Sequence, residues 1–428
     1  MKRKGSRTEK IKNAVIVFLL FSAVTLGWES NLFGNTSGGL ADDVSSLIGF
    51  LFGGEHGAGR ADKTTEAAKP VIIAVTDQSG VRTGVQYDLN AIGALYEKTS
   101  GIVTAAFAAS AKSKPSEISV SDWQSALKAP GLYYEYLSPI KLTVLDGWFG
   151  ADMSGTWDGV TVRRLCVAEV GGKNRLYIED SGTGRFFSND VDSVSITSLA
   201  AAAGTSHAVF AFEVLGGMSS NPYQLLFVDS SAHPSVAVSN PLTDDSALAG
   251  VLTALGAGTH ATPSYQESDG TRVYVENDFT IRVLAAGTVQ YKRVYKNTSA
   301  ALAAGDSAVI EKARAIVAET VGAHSGDAAV YFDALQRRDD GSFEVTFNYI
   351  VAGGVVRLSK NGYAADVIVK NGVIEEMTLR FKNFQVTDKQ VELMPEKQAA
   401  AAAGGEFVLC YTESGEYTLD PAWMALHS

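Results

Sequence analysis

The hydrophobic pattern changes period repeatedly along the chain, and each change predicts an element. Residues 14–28 (AVIVFLLFSAVTLGW) form an unbroken apolar run. Residues 71–75 are uniformly apolar over a short span, as in a strand buried on both faces. Over 87–111, Ile92, Leu95, Tyr96, Val103 and Phe107 fall near helical spacing behind Asp88, a good cap. Ser121-Asp122-Trp123 opens a second helix that stops before Pro130-Gly131. Residues 132–137 are aromatic and extended. Residues 161–170, 174–179 and 184–187 read as an antiparallel meander, turning at Gly171-Gly172 and at 181–184. Strands near 208–214 and 223–229 complete this region.

The theme then recurs. Thr243 caps a helix over 244–255, with Asp244 and Asp245 set against its dipole. Strands follow at 272–276, 279–284 and 288–295. Asp306 caps a helix to 321 whose Val309, Ile310, Ala313, Ile316 and Val317 share a face. Strands at 329–336, 343–351, 364–370 and 373–382 come next. Asn371-Gly372 between two apolar runs predicts a two-residue hairpin. A helix over 394–403 is stopped by Gly404-Gly405, and strands at 407–412 and 417–419 end the chain's ordered pattern.

Charge decides how the first run is read. Of the 36 Lys and Arg, six lie in residues 1–12, beside one of the 47 Asp and Glu. The head is therefore +5 and the rest of the chain −16. As a helix, residues 11–28 rise about 27 Å, close to the ~30 Å of a bilayer's hydrocarbon core. Trp28 stands where an interfacial aromatic belongs, and the basic flank stays cytoplasmic, which puts the body outside. An uncleaved anchor and a cleaved signal peptide both fit; no clear A-x-A site and no lipoprotein cysteine is present. Residues 31–69, rich in Gly, Ser and charge, read as a flexible linker. Its apolar island at 47–52 (LIGFLF) suits either a membrane surface or a dock on the body.

The predicted class is α+β: one N-terminal transmembrane helix, then an extracytoplasmic body of antiparallel sheets, each packed with helices. The expected divisions are 1–30 (basic tail and anchor), 31–69 (linker), 70–240, 241–300 and 301–428. The last two are related helix-plus-sheet modules. An acidic body argues against nucleic-acid binding, which needs a basic footprint.

Candidate chemistry is sparse. No Gly-x-Ser-x-Gly elbow occurs, and His207, His260 and His324 lie in small-residue loops. His56 lies in the linker, His233 precedes Pro234 and His427 is at the tail. No pair has zinc-ligand spacing, so no metal or cofactor is expected. The carboxylate pairs Asp42-Asp43, Asp244-Asp245, Asp339-Asp340 and Glu375-Glu376 read as helix starts, turns or exposed strand; adjacent strand residues face opposite sides. Cys166 and Cys410 each sit among apolar neighbours and read as buried strand thiols, with a disulfide left open. Tyr133-Tyr134-Glu135-Tyr136 is a packed sheet strand or, alternatively, a sugar- or peptide-binding face.

Together the anchor, the linker and several stretches resemble a known family. The stretches are Trp123 followed by PGLYYEY at 130–136, VYVENDFTIRV at 273–283 with GTVQY at 287–291, and LDPAW at 419–423. They are similar to the YycH/YycI-type accessory proteins of Gram-positive bacteria, best over 270–423. The resemblance implies a membrane-anchored regulator of the WalK (YycG) sensor histidine kinase, which governs cell-wall metabolism. It also implies a paralogous accessory protein as a second partner, and no catalytic residues. In the anchor, Ser22, Ala23 and Gly27 are the candidate partner contacts, because small residues allow helices to approach closely. The alternatives are a binding module for a wall fragment, peptide or lipid, and an envelope enzyme.

Overall fold

The computed structural model describes residues 69–425, apart from a few single or paired positions and the stretches 217–220, 228–231, 258–262, 295–304, 359–361 and 403–406. The predicted anchor and linker, with Ser22, Ala23 and Gly27, lie outside the described residues, as do Asp42-Asp43, His56, His260 and His427. Among the described residues no helix is long and apolar enough to cross a membrane.

Two large, mainly antiparallel sheets carry the body. The first comprises β1 (Ile72–Thr76), β2 (Arg82–Gln86), β3 (Ser116–Ile118), β4 (Gly131–Lys141), β5 (Thr161–Val170), β6 (Lys173–Asp180), β7 (Arg185–Asp190), β8 (Ser206–Phe210) and β9 (Leu225–Phe227). Their order is β3-β7-β6-β5-β4-β1-β2-β8-β9. The second comprises β10 (Ala232–Ser239), β11 (Ser264–Gln266), β12 (Arg272–Val275), β13 (Phe279–Leu284), β14 (Thr288–Arg293), β15 (Ala329–Arg337), β16 (Phe343–Val351), β17 (Gly354–Val356), β18 (Ala365–Lys370), β19 (Val373–Arg380), β20 (Asn383–Glu392), β21 (Phe407–Gly415) and β22 (Thr418–Ala425). Their order is β11-β12-β13-β14-β19-β18-β16-β17-β21-β22-β10-β20, with β15 on β16. Among the described strands only β17 and β21 pair in parallel.

The helices are α1 (Leu89–Ser110), α2 (Val120–Lys128), α3 (Leu142–Trp148), α4 (Ala211–Val214), α5 (Asp245–Ala254), α6 (Asp306–Glu319) and α7 (Glu396–Ala402). On one face of the first sheet α1 and α3 bury Ile92, Tyr96, Phe107 and Leu145 against Ile73, Leu165 and Ile178. The other face packs Ile72, Cys166 and Tyr177 against α2 (Trp123, Ala126, Leu127) and against Ile350, Val355, Val408 and Cys410 of the second sheet. Burial on both faces explains the unbroken apolar run of β1, all five residues of which are buried. The second sheet has α5 and α6 on one face, with Val251, Val309 and Val317 in its core. Strand β18 alternates buried and half-buried residues accordingly.

Local chemistry fixes the helix starts. Asp88 caps α1 by accepting from Asn90 N and Ala91 N, both at 3.0 Å. Ser119, two residues before the expected start, caps α2 in a reciprocal box with Asp122. Asp244, not Thr243, caps α5, accepting from Ser246 N at 2.8 Å. Gly305 is the cap of α6; Asp306 lies inside the first turn and pairs with Lys141 instead. The strand expected at 208–214 ends at Phe210. There Glu213 folds back to accept from Phe210 N at 2.7 Å, turning the chain into α4. The thiols of Cys166 and Cys410 are free and buried.

Asn371 (φ 49°) and Gly372 (φ 70°) form the hairpin turn between β18 and β19, pairing Lys370 with Val373. Lys312 Nζ of α6 donates to Gly372 O at 2.6 Å. Proline cannot adopt a positive φ, so Asn371→Pro is expected to cost about 2–3 kcal/mol. A urea midpoint equal to that of the unmodified chain would contradict this turn.

Candidate functional site

Strand β4 places its tyrosines on alternate faces. Tyr134 turns toward α1, stacks on Tyr96 with centroids 6.0 Å apart, and its hydroxyl meets Thr99 Oγ1 at 2.7 Å. Tyr136 is buried on the same side. Tyr133 turns the other way, edge-on to Phe210 at 5.2 Å. All three are at most 4% exposed, so they pack the sheet and present no ligand-binding face.

Between them lies the feature that the apolar run conceals. Glu135 is 3% exposed. Its Oε1 meets Arg164 Nη2 at 3.1 Å and Arg163 Nη2 at 3.3 Å, and its Oε2 accepts from Tyr133 Oη at 2.7 Å. Arg164 Nη1 reaches Glu179 Oε2 at 3.1 Å on the next strand. Burial works to raise the Glu135 carboxyl, but Arg164 and Arg163 outweigh it and hold the group below its usual value. Burial, and then the neighbouring Glu135 charge, push the Tyr133 hydroxyl well up. Glu135, Arg163, Arg164 and Glu179 thus form a charged network across β4, β5 and β6.

Another buried cation sits two strands from β4, on β2. Arg82 of β2 donates from Nη1 to Glu213 Oε2 (2.6 Å), from Nη2 to Leu127 O (2.8 Å) and from Nε to Thr76 Oγ1 (3.2 Å). Its guanidinium lies 4.3 Å above the Phe210 ring. Arg82 therefore ties α2 and α4 to the sheet.

The seam between the sheets is polar at both ends. At one, Ser138 Oγ donates to Asp333 Oδ1 (2.9 Å) and Trp148 Nε1 to Glu311 Oε1 (2.6 Å). At the other, Gln224 Nε2 donates to Phe407 O (2.8 Å) and Phe227 N to Glu396 Oε2 (2.6 Å).

The other sequence candidates are dispersed. His207 is on β8; His233, on β10, lies edge-on to Trp423, and burial lowers its pKa. His324 packs against Phe381. Asp245 is an exposed first-turn acid near Arg272, and Glu376 pairs with Lys292 at 2.9 Å. Asp340 accepts from Ser342 N and Lys370 Nζ, and its hydrogen bond from the Ser342 hydroxyl is the chief cause of a lowered pKa. Among the described residues no group of three or more His, Cys, Asp or Glu could hold a metal ion. The buried Arg82, Arg164 and Glu396 and the half-buried Arg163 were absent from the sequence candidates, and Glu135 was named there only as part of the aromatic stretch 133–136. A charge set inside an apolar strand was the available signal for Glu135 and the arginines. Glu396 had none, because a first-turn acid is ordinary.

Comparison with known proteins follows from this architecture. No family model and no curated protein matches the sequence. A solved structure does. The crystal structure of YycH from Bacillus subtilis superposes with a TM-score of 0.51, at 14% identity, over 85% of this chain and 94% of that one. The chain has a YycH-type fold. The likeness is one of fold, and the share aligned is about the length of the body described above. The YycH-type fold also accords with the resemblance drawn from 130–136, 273–291 and 419–423. Those stretches form β4, β12 to β14 and part of β22.

Proposed function

We propose that this chain is a membrane-anchored, extracytoplasmic regulatory protein without catalytic activity. It acts by contact on a sensor histidine kinase of the WalK/YycG kind that controls cell-wall metabolism, with a paralogous accessory protein as a second partner. The YycH-type fold over 85% of the chain carries this reading. The basic head and apolar run at 1–28 support the anchor, and the acidic body agrees with a protein that leaves nucleic acid alone. A protein of this kind works through different affinities for two states of its partner. In the membrane the contact runs through Ser22, Ala23 and Gly27; positions 23 and 27 share a helix face.

The test is kinase output and co-purification with the chain carrying Ala23→Leu and Gly27→Leu at normal expression. Both should fall. Unchanged output with these substitutions, but loss on deleting the outer body, would move the contact to the sheets. No effect of either change would end the regulatory reading.

A further inference from the structure

Helix α7 belongs to the second sheet's half of the chain, yet it is seated on the first sheet. Its Ala399 and Ala400 pack with Phe407 against Leu226 of β9 and against Ala211 and Leu215 at α4. A polar contact holds its start: Phe227 N, on the edge strand β9, donates to Glu396 Oε2 at 2.6 Å. Glu396 is 5% exposed, and its other oxygen, Oε1, is buried without a well-formed partner. The polar group beside the carboxyl is the Gln86 side chain of β2.

The charges around it do not compensate a carboxylate. Lys397 of α7 and Glu413 of β21 are exposed. Cys410 and Tyr411 of β21 are buried and neutral. Strand β9 carries no ionisable group. Arg82 of β2 and Glu213 of α4 are paired with each other. Asp420 of β22 is held by Ser235 and Lys389, and His233 of β10 lies against Trp423. Glu135 of β4 adds repulsion. A buried carboxyl without a cation is stable only when neutral. As a neutral acid it keeps the Phe227 bond through Oε2, and the Gln86 side chain, whose hydrogen bond favours the charged form, offsets only part of the effect of burial.

We propose that Glu396 is a proton-dependent latch between the two sheets: neutral, it seats α7 on the edge of the first sheet; ionised, it leaves its dry site and frees that end of the seam. Burial raises the carboxyl from 4.5 to about 8. A folded-state value above the unfolded one gives stability that is complete below about 4.5 and is lost as pH rises through about 8. The latch therefore loosens on the alkaline side of neutrality.

Hydrogen exchange on the full chain tests this, with rates corrected for the intrinsic effect of pH. Peptides covering 225–227 and 396–402 should open at least tenfold more at pH 9 than at pH 6, while those from β16 and β18 stay constant. Glu396→Gln, neutral at every pH, should abolish the difference. Should that variant misfold, Gln86→Leu leaves the carboxyl in place and must shift the midpoint to higher pH. Equal protection of both peptides at pH 6 and 9 in the unmodified chain overturns the proposal. So does the same opening in Glu396→Gln, or an unmoved midpoint in Gln86→Leu.

Discussion

Replacing Glu135 with alanine is expected to destabilise the body by about 3–5 kcal/mol, because it removes at once the acceptor shared by the buried Arg164, the half-buried Arg163 and the Tyr133 hydroxyl. Both guanidinium groups would lose Glu135, and Arg164 would keep its contact with Glu179. The loss should show as a lower urea midpoint with an unchanged slope. Glu135→Gln keeps the shape but removes the charge and should lose most of the same amount. The pH dependence has a defined sign. A carboxyl held below its unfolded value of 4.5 contributes stability that is present above that value and lost as pH falls through the folded one. The unmodified body should therefore weaken in acid below about 4.5, and Glu135→Gln should flatten that limb. A Glu135→Ala midpoint within about 1 kcal/mol of the unmodified chain would contradict this account of the network.

Gly326→Val is expected to cost about 3 kcal/mol or more. Gly326 has φ +65°, and a Cβ there would stand 2.3 Å from Phe384 O. Its turn grips the edge strand β20: Asp327 N donates to Phe384 O, Phe384 N to Ser325 O, and Val386 N to Asp327 Oδ2. The added atoms would force the turn off the strand as well as strain a left-handed backbone. Gly341→Ala is the control. Gly341 has φ +80° but nothing within 4 Å of its would-be Cβ, so only the backbone cost of about 1–2 kcal/mol applies. Equal midpoints for the two variants would show that the clash at Phe384 is relieved.

How much of this could be read in the sequence depends on what each residue's role required. Strand β1, helix α1 with its Asp88 cap and the Asn371-Gly372 turn follow from local rules, and the structure has them. Helix starts drifted by one or two residues where several side chains compete to cap, as at Ser119 against Ser121 and at Asp244 against Thr243. Strand β20 was not expected as a separate element. It is an edge strand whose exposed positions carry Gln385, Asp388, Lys389 and Gln390, so its alternation is faint. Strand β10 contains His233-Pro234, where the ladder is irregular. The buried ion network was hidden for a different reason. A charge in a strand is read as solvent-facing unless its partners are known, and those of Glu135 lie on a neighbouring strand about thirty positions later. The latch carboxyl depends on packing between distant segments, which no local pattern carries.

The order of strands in the second sheet bears on how the chain can fold. Strand β10, at 232–239, lies between β20 and β22. Its neighbours are made about 150 and 180 residues later, so it has no ladder partner until nearly the whole chain has been synthesised. Pairings of that separation must close long loops before they return any energy, which makes assembly slow. The first sheet needs only segments up to Phe227 to complete its ladders. Growth from the N-terminus thus favours a two-stage process, with the early sheet formed first. Its exposed second face then awaits Ile350, Val355, Val408 and Cys410. During that interval the apolar face and the unpaired β10 are the surfaces a chaperone would have to shield.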